Sequence, residues 1–197
     1  MPADASRFDR PAQLRGRITP RHAAAVGLLL VTAGAGLALS LLFRSGGSTS
    51  GTGAATAVNP IGPIAATPAI LVAFSKALNR PIYWAGPMSG DTYELTETSA
   101  GNIFVRYLPK GVRVGDPRAS FLAIGTYPYP GALKALQTIA KGKGTALQGG
   151  GLAVTTAGHP GNFHIAYPGL AYQIEVYDPV PGRAHTLALS GRVKPVR

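Results

Sequence analysis

"TYELTETSAGNIFVRYLP", residues 92–109, decides the fold. Tyr93 and Leu95 alternate with polar residues in its first half. In its second half Ile103, Val105 and Tyr107 share one side and Arg106 takes the other. A period of two marks a half-buried strand. The short link Ser99-Ala100-Gly101 predicts that the two strands fold back as an antiparallel hairpin.

Upstream, Thr67-Pro68 reads as a helix start, with Thr as cap and Pro at the first helical position. Ile70, Leu71, Phe74 and Leu78 then recur at helical spacing. Asn79 and Pro81 close that helix. "NRPIYWAGP" (79–87) follows, with the only Trp of the chain. Tyr83 and Trp84 fall on opposite faces of an extended segment, so they cannot form one stacking platform, and Trp84 is expected to support the core.

Downstream, "SFLAIGT" (120–126) is uniformly apolar and reads as a central strand. "PGALKALQTIAK" (130–141) reads as a helix burying Leu133, Leu136, Ile139 and Ala140. "LAVTT" (152–156), "NFHIAYP" (162–168), "AYQIEVY" (171–177) and "HTLALSG" (185–191) read as four further strands, and no internal repeat is evident. The expected fold class is α+β: an antiparallel or mixed sheet with one or two helices on a face. Residues 67–197 have the size of one independently folding domain.

The residues ahead of this domain differ sharply. Ala23–Phe43, "AAAVGLLLVTAGAGLALSLLF", is free of charge. Its 21 residues make a helix about 32 Å long, enough for a bilayer core of about 30 Å. Five Arg lie in residues 1–22 and only Arg44 follows closely. This asymmetry predicts a cytoplasmic tail (1–22), a signal anchor (23–43) and an external C-terminal domain. The run is longer than a cleaved signal peptide's apolar core and lacks a well-placed A-x-A-like site, which favours an uncleaved anchor. Thr32, Gly36 and Ser40 repeat every four residues, a small-xxx-small pattern that would let a homodimer pack through this face; the bland reading is a run simply rich in Ala and Gly. Residues 44–66 read as a Gly/Ser/Thr/Pro-rich linker, about 26 Å end to end as a coil.

The chain of 197 residues has a net charge of +11 and no Cys. Disulfides and Cys-ligated zinc are thereby excluded, and anionic neighbours are favoured. Chemistry-bearing constellations are weak. "KGKGTALQGGG" (141–151) lacks the first Gly of a phosphate loop, and "GPMSG" places Ser89 one position late for a nucleophile elbow. His164, Asp178, His185 and Ser190 can be written as a triad, but nothing marks Ser190 as activated. His159, His164, His185, Glu175 and Asp178 are the available metal ligands. His159 and His164 flank a turn and can approach, yet no third ligand is evident. Glu94 and Glu97 fall on opposite strand faces, as a glycosidase pair would not. Most acids read as surface charges. The basic residues are dispersed, without a nucleic-acid motif. The reading therefore assigns no catalytic, cofactor or metal residues and no cofactor.

The phrases "RPIYWAGP", "TYELTET", "IFVRYLP", "FLAIGTYP", "GGLAV", "YPG" and "YQIEVYDP", over about residues 78–192, resemble a set of uncharacterised membrane-anchored proteins of high-GC actinobacteria. The resemblance implies a bacterial domain facing the cell envelope, and it implies no activity or site residues. The expected function is that of a single-pass, membrane-anchored module binding an envelope protein or an anionic lipid or polymer, without catalysis. The alternative is a membrane-tethered enzyme acting on envelope material.

Overall fold

The computed structural model describes residues 61–156 and 158–197. The 23–43 run, the basic tail and Thr32, Gly36 and Ser40 lie outside these residues. Among the described residues no helix is long and apolar enough to cross a membrane.

Eight strands form one antiparallel sheet in the order β1-β3-β4-β5-β9-β8-β7-β6. They are β1 (Ile61–Ala66), β3 (Thr92–Glu97), β4 (Ile103–Leu108), β5 (Ala123–Pro128), β6 (Thr145–Ala146), β7 (Leu152–Thr156), β8 (His159–Ala166) and β9 (Tyr172–Tyr177). A two-stranded ribbon pairs β2 (Tyr83–Trp84) with β10 (Lys194–Pro195). Three helices complete the α+β domain: α1 (Pro68–Ala77), α2 (Ala132–Ala140) and α3 (Arg183–Leu189).

The β3–β4 hairpin forms as expected, with a register that runs from Thr92 opposite Leu108 to Glu97 opposite Ile103. Leu95, Val105, Ile124 and Val176 are cross-strand neighbours and fully buried. They form the spine of one face of the sheet. The ribbon, α1 and α3 close that face, giving the main core together with Ile82, Tyr83, Leu71 and Leu187. On the opposite face α2 packs Ala132, Leu136 and Ala140 against Val154 and Ala166.

Three expectations need correction. "HTLALSG" is not a strand: its residues belong mostly to α3, where Ala184, Leu187 and Ala188 turn inward at helical spacing. So short an apolar run fits either period. Residues 61–66, read as the end of the linker, form β1 and pair with β3, so the folded region reaches back six residues beyond 67. The backbone supplies that pairing, which side-chain composition does not reveal. The sheet is antiparallel, as one of the two expected arrangements has it, but three helices rather than one or two are present and they cover both faces.

One local device recurs in the sheet. Two three-stranded meanders, β3-β4-β5 and β7-β8-β9, meet at the β5–β9 seam. Each ends in Pro-x-Pro-Gly, "PYPG" at 128–131 and "PVPG" at 179–182, followed by a helix. Gly131 (φ 80°) and Gly182 (φ 76°) are left-handed, a conformation open to Gly without a Cβ penalty. Yet α2 and α3 lie on opposite faces of the sheet, so the same device is used twice without symmetry.

Trp84 is half-buried against the main core and meets Tyr93 edge-on, with ring centroids 5.8 Å apart. Tyr93 in turn meets Tyr107 at 5.2 Å. Trp84→Ala is expected to destabilise the protein by about 3 kcal/mol, the low end for a buried aromatic because the ring is partly exposed. Chemical denaturation measures this. A change below about 1 kcal/mol, the scale of a surface substitution, would return Trp84 to a contact role.

Candidate functional site

The candidate site is a buried polar cluster at the middle of the α2-bearing face. Gly125 of β5 lies opposite Glu175 of β9. A Cβ on Gly125 would sit 2.7 Å from the ring of Tyr127. With no Cβ there, the ring lies back over the seam, and its hydroxyl donates to Glu175 Oε2. Asn162 Nδ2 of β8 donates to Glu175 Oε1 at 2.5 Å. Glu175 is 3% exposed, and both of its oxygens are engaged by neighbours. Burial pushes its carboxyl above the usual range, against the lowering effect of the Tyr127 and Asn162 hydrogen bonds. Burial and the neighbouring carboxylate also push the Tyr127 phenol well up. Phe104 packs edge-on to Tyr127 at 5.6 Å.

His164 is the cross-strand partner of Glu175. It is buried, and Gln173 Nε2 lies 2.9 Å from its Nδ1. The amide donates to that nitrogen when the imidazole carries its proton on Nε2. Burial lowers the His164 pKa. Together, His164 and Glu175 place an imidazole and a carboxyl side by side, both biased toward their neutral forms.

The other sequence candidates are dispersed. His159 is not in a turn with His164: both belong to the continuous strand β8, and His159 is exposed at its start. His185 is exposed on α3 and packs against Phe163 on the opposite face at 5.3 Å. Ser190 caps α3, donating to the Leu187 carbonyl. The written triad is therefore not assembled. Asp178 shapes the turn into α3: its Oδ1 accepts from the Val180 N–H at 2.8 Å. Its Oδ2 lies 3.2 Å from Arg183 Nε as an ion pair without hydrogen-bond alignment. Among the described residues no group of three His, Cys, Asp or Glu is placed to hold a metal.

Four of the six acids in the described residues are not surface charges, contrary to expectation. Glu94, Glu97, Glu175 and Asp178 are at most 3% exposed. Glu94 pairs with Arg106 at 2.7 Å and accepts from the Gly115 N–H at 2.6 Å. Arg106 continues to the Asp116 and Arg118 carbonyls and lies over Phe121. Glu97 pairs with Arg80, which also donates to the Gly101 carbonyl. Asp116 is bound by Arg118, which lowers its pKa to about 2. Each partner lies far along the chain or across a loop, apart from the local Asp116–Arg118 pair, so alternation alone could not reveal the burial. The one available signal was an acid and an Arg on the two strands of one hairpin, which the structure sets opposite each other as Glu94 and Arg106.

A small cavity of about 90 Å³ lies beside Asp91, Tyr107, Ser120, Asp178 and Arg183. It is far below the ~300–1,000 Å³ usual for a small-molecule site. No protein-family model matches the chain, and no curated protein or solved structure does.

The burial of His164 predicts acid sensitivity. Its folded pKa lies below the unfolded value of about 6.5. The unfolded chain therefore binds more protons as pH falls below that value, and stability drops until the folded pKa is passed. Denaturation between pH 7 and 5 should show this loss in the wild type and a flatter profile in His164→Gln. Parallel profiles would remove His164 as its cause.

Proposed function

We propose that this chain is a single-pass membrane protein displaying a non-catalytic extracytoplasmic module that binds an anionic envelope partner. One observation carries the reading: most acids are buried or paired within the fold, while most cations are exposed and carry no ion pair among the described residues. Of six acids in the described residues, four pair with Arg and Glu175 is held by Tyr127 and Asn162, leaving only Asp91 without such a partner. Nine basic side chains have no ion pair within the described residues, and all nine are exposed: Lys76, Lys110, Arg113, Lys134, Lys141, Lys143, Arg192, Lys194 and Arg197. The net result is an outward field that attracts anions over about a Debye length, ~10 Å at 0.1 M salt. The Arg asymmetry around residues 23–43 supports the anchor and the external placement of the domain.

The tethered-enzyme reading draws on the adjacency of His164 and Glu175. Against it, both Glu175 oxygens already accept hydrogen bonds within the fold. Cosedimentation of the full chain with native envelope material separates the two readings. Lys134 is exposed on α2, Lys141 is the left-handed residue that caps its C-terminal end, and Lys143 lies just beyond. Lys134→Gln, Lys141→Gln and Lys143→Gln combined should reduce retention and its salt sensitivity, while folded His164→Gln and Glu175→Gln variants are retained normally. Turnover of envelope material that vanishes in Glu175→Gln would replace this reading with the enzyme.

A further inference from the structure

The three helices of the domain differ in what they show to solvent. On α2 the exposed residues are Lys134, Gln137 and Thr138, and on α3 they are Arg183, His185 and Thr186. On α1 they are Pro68, Ala69, Ile70, Ala73, Lys76 and Ala77, although α1 also buries Leu71 in the main core and packs Val72 and Phe74 against it. A helix apolar on all sides belongs where both sides are covered. The adjoining strand β1 continues this surface with exposed Pro63, Ile64 and Ala65. Ile64 and Ile70, each 41% exposed, are two of the four exposed large hydrophobics among the described residues.

We propose that the β1–α1 face rests on the outer surface of the membrane from which the chain emerges, with anionic phospholipid as its partner. The inference rests on the proposed span at residues 23–43. Three observations select a bilayer over a second copy. Only residues 44–60 separate Phe43 from Ile61, a reach of at most about 60 Å and about 23 Å as a flexible coil. From Ser45 to Ser75 the chain carries no charge, so nothing opposes approach to the interface. Cations border the apolar patch: Lys76 lies on α1, and the exposed Lys110 and Arg113 belong to the loop whose Gly115 adjoins Pro63. An apolar face with a basic rim is what an interfacial element presents to anionic lipid. Strand pairing with another copy is disfavoured, because β1 is an edge strand carrying Pro63 and a register irregularity between Ile61 and Ile64.

The absence of Cys from the chain makes single-site labelling direct. The full chain would carry an environment-sensitive fluorophore at Ile70→Cys, at Lys143→Cys or at Leu30→Cys. Each variant would be reconstituted in vesicles of phosphatidylcholine with phosphatidylglycerol, with and without spin-labelled lipid. The proposal expects a blue shift and quenching at position 70, little change at position 143, and strong quenching at position 30. Replacing phosphatidylglycerol by phosphatidylcholine should weaken the effect at 70 and leave that at 30 intact. Quenching at 30 without quenching at 70 would overturn the docking and leave the span standing. Absence of quenching at 30 would overturn the span, and the docking with it. A disulfide forming between copies at Ile70→Cys in place of lipid quenching would assign the face to a second copy.

Discussion

The sheet depends on one contact across its middle: Tyr127 of β5 lying over Gly125 to reach Glu175 of β9. Among the described residues the β5–β9 seam is the only ladder joining the two meanders. Its apolar side is closed by Ile124, Ile174 and Val176, all fully buried. Its other side carries a buried carboxyl, which is costly unless hydrogen-bonded. Tyr127 satisfies one oxygen from one meander and Asn162 the other from the second. Gly125 makes this possible, since a side chain there would occupy the volume of the Tyr127 ring. Thr126, the residue between them, accepts the Tyr83 N–H at 3.0 Å on the opposite face and ties the ribbon to the same seam.

This economy of charge links fold to surface. Buried ion pairs are rarely large net contributors to stability, but losing one partner leaves a charge stranded. Arg106–Glu94 and Arg80–Glu97 therefore act as register pins. The first joins β3 to β4 and, through its further bonds to Gly115, Asp116 and Arg118, holds the following loop; the second ties β3 to the segment after α1. Once the acids are consumed inside, the cations that remain outside have no internal counterweight. The basic surface is thus a product of the same pairing that sets the core.

Much of the fold was legible in local pattern. The β3–β4 hairpin, the capped start of α1, the central position of β5 and the inward face of α2 all follow from periodicity and turn chemistry. The misreadings have physical reasons. "HTLALSG" is too short for its period to separate strand from helix, and only Gly182 and the preceding Pro-x-Pro mark the helix start. β1 is uncharged and poor in large side chains because it is an edge strand, stabilised by backbone pairing with β3. The central polar cluster was hidden because Glu175 looked like any polar residue alternating outward. Its face is covered only because α2 crosses beside it and Tyr127 folds across it, both consequences of tertiary packing.

Native-state hydrogen exchange on wild type and Gly125→Ala tests the role of the seam most directly. If the seam joins both meanders into one unit, the amides of β4, β5, β8 and β9 exchange with a common, highest free energy. Gly125→Ala, by displacing Tyr127 from Glu175, then lowers protection in all four strands together. Loss of protection in β4 and β5 with β8 and β9 unchanged would contradict the account, and would show two meanders that are stable independently of the contact between them.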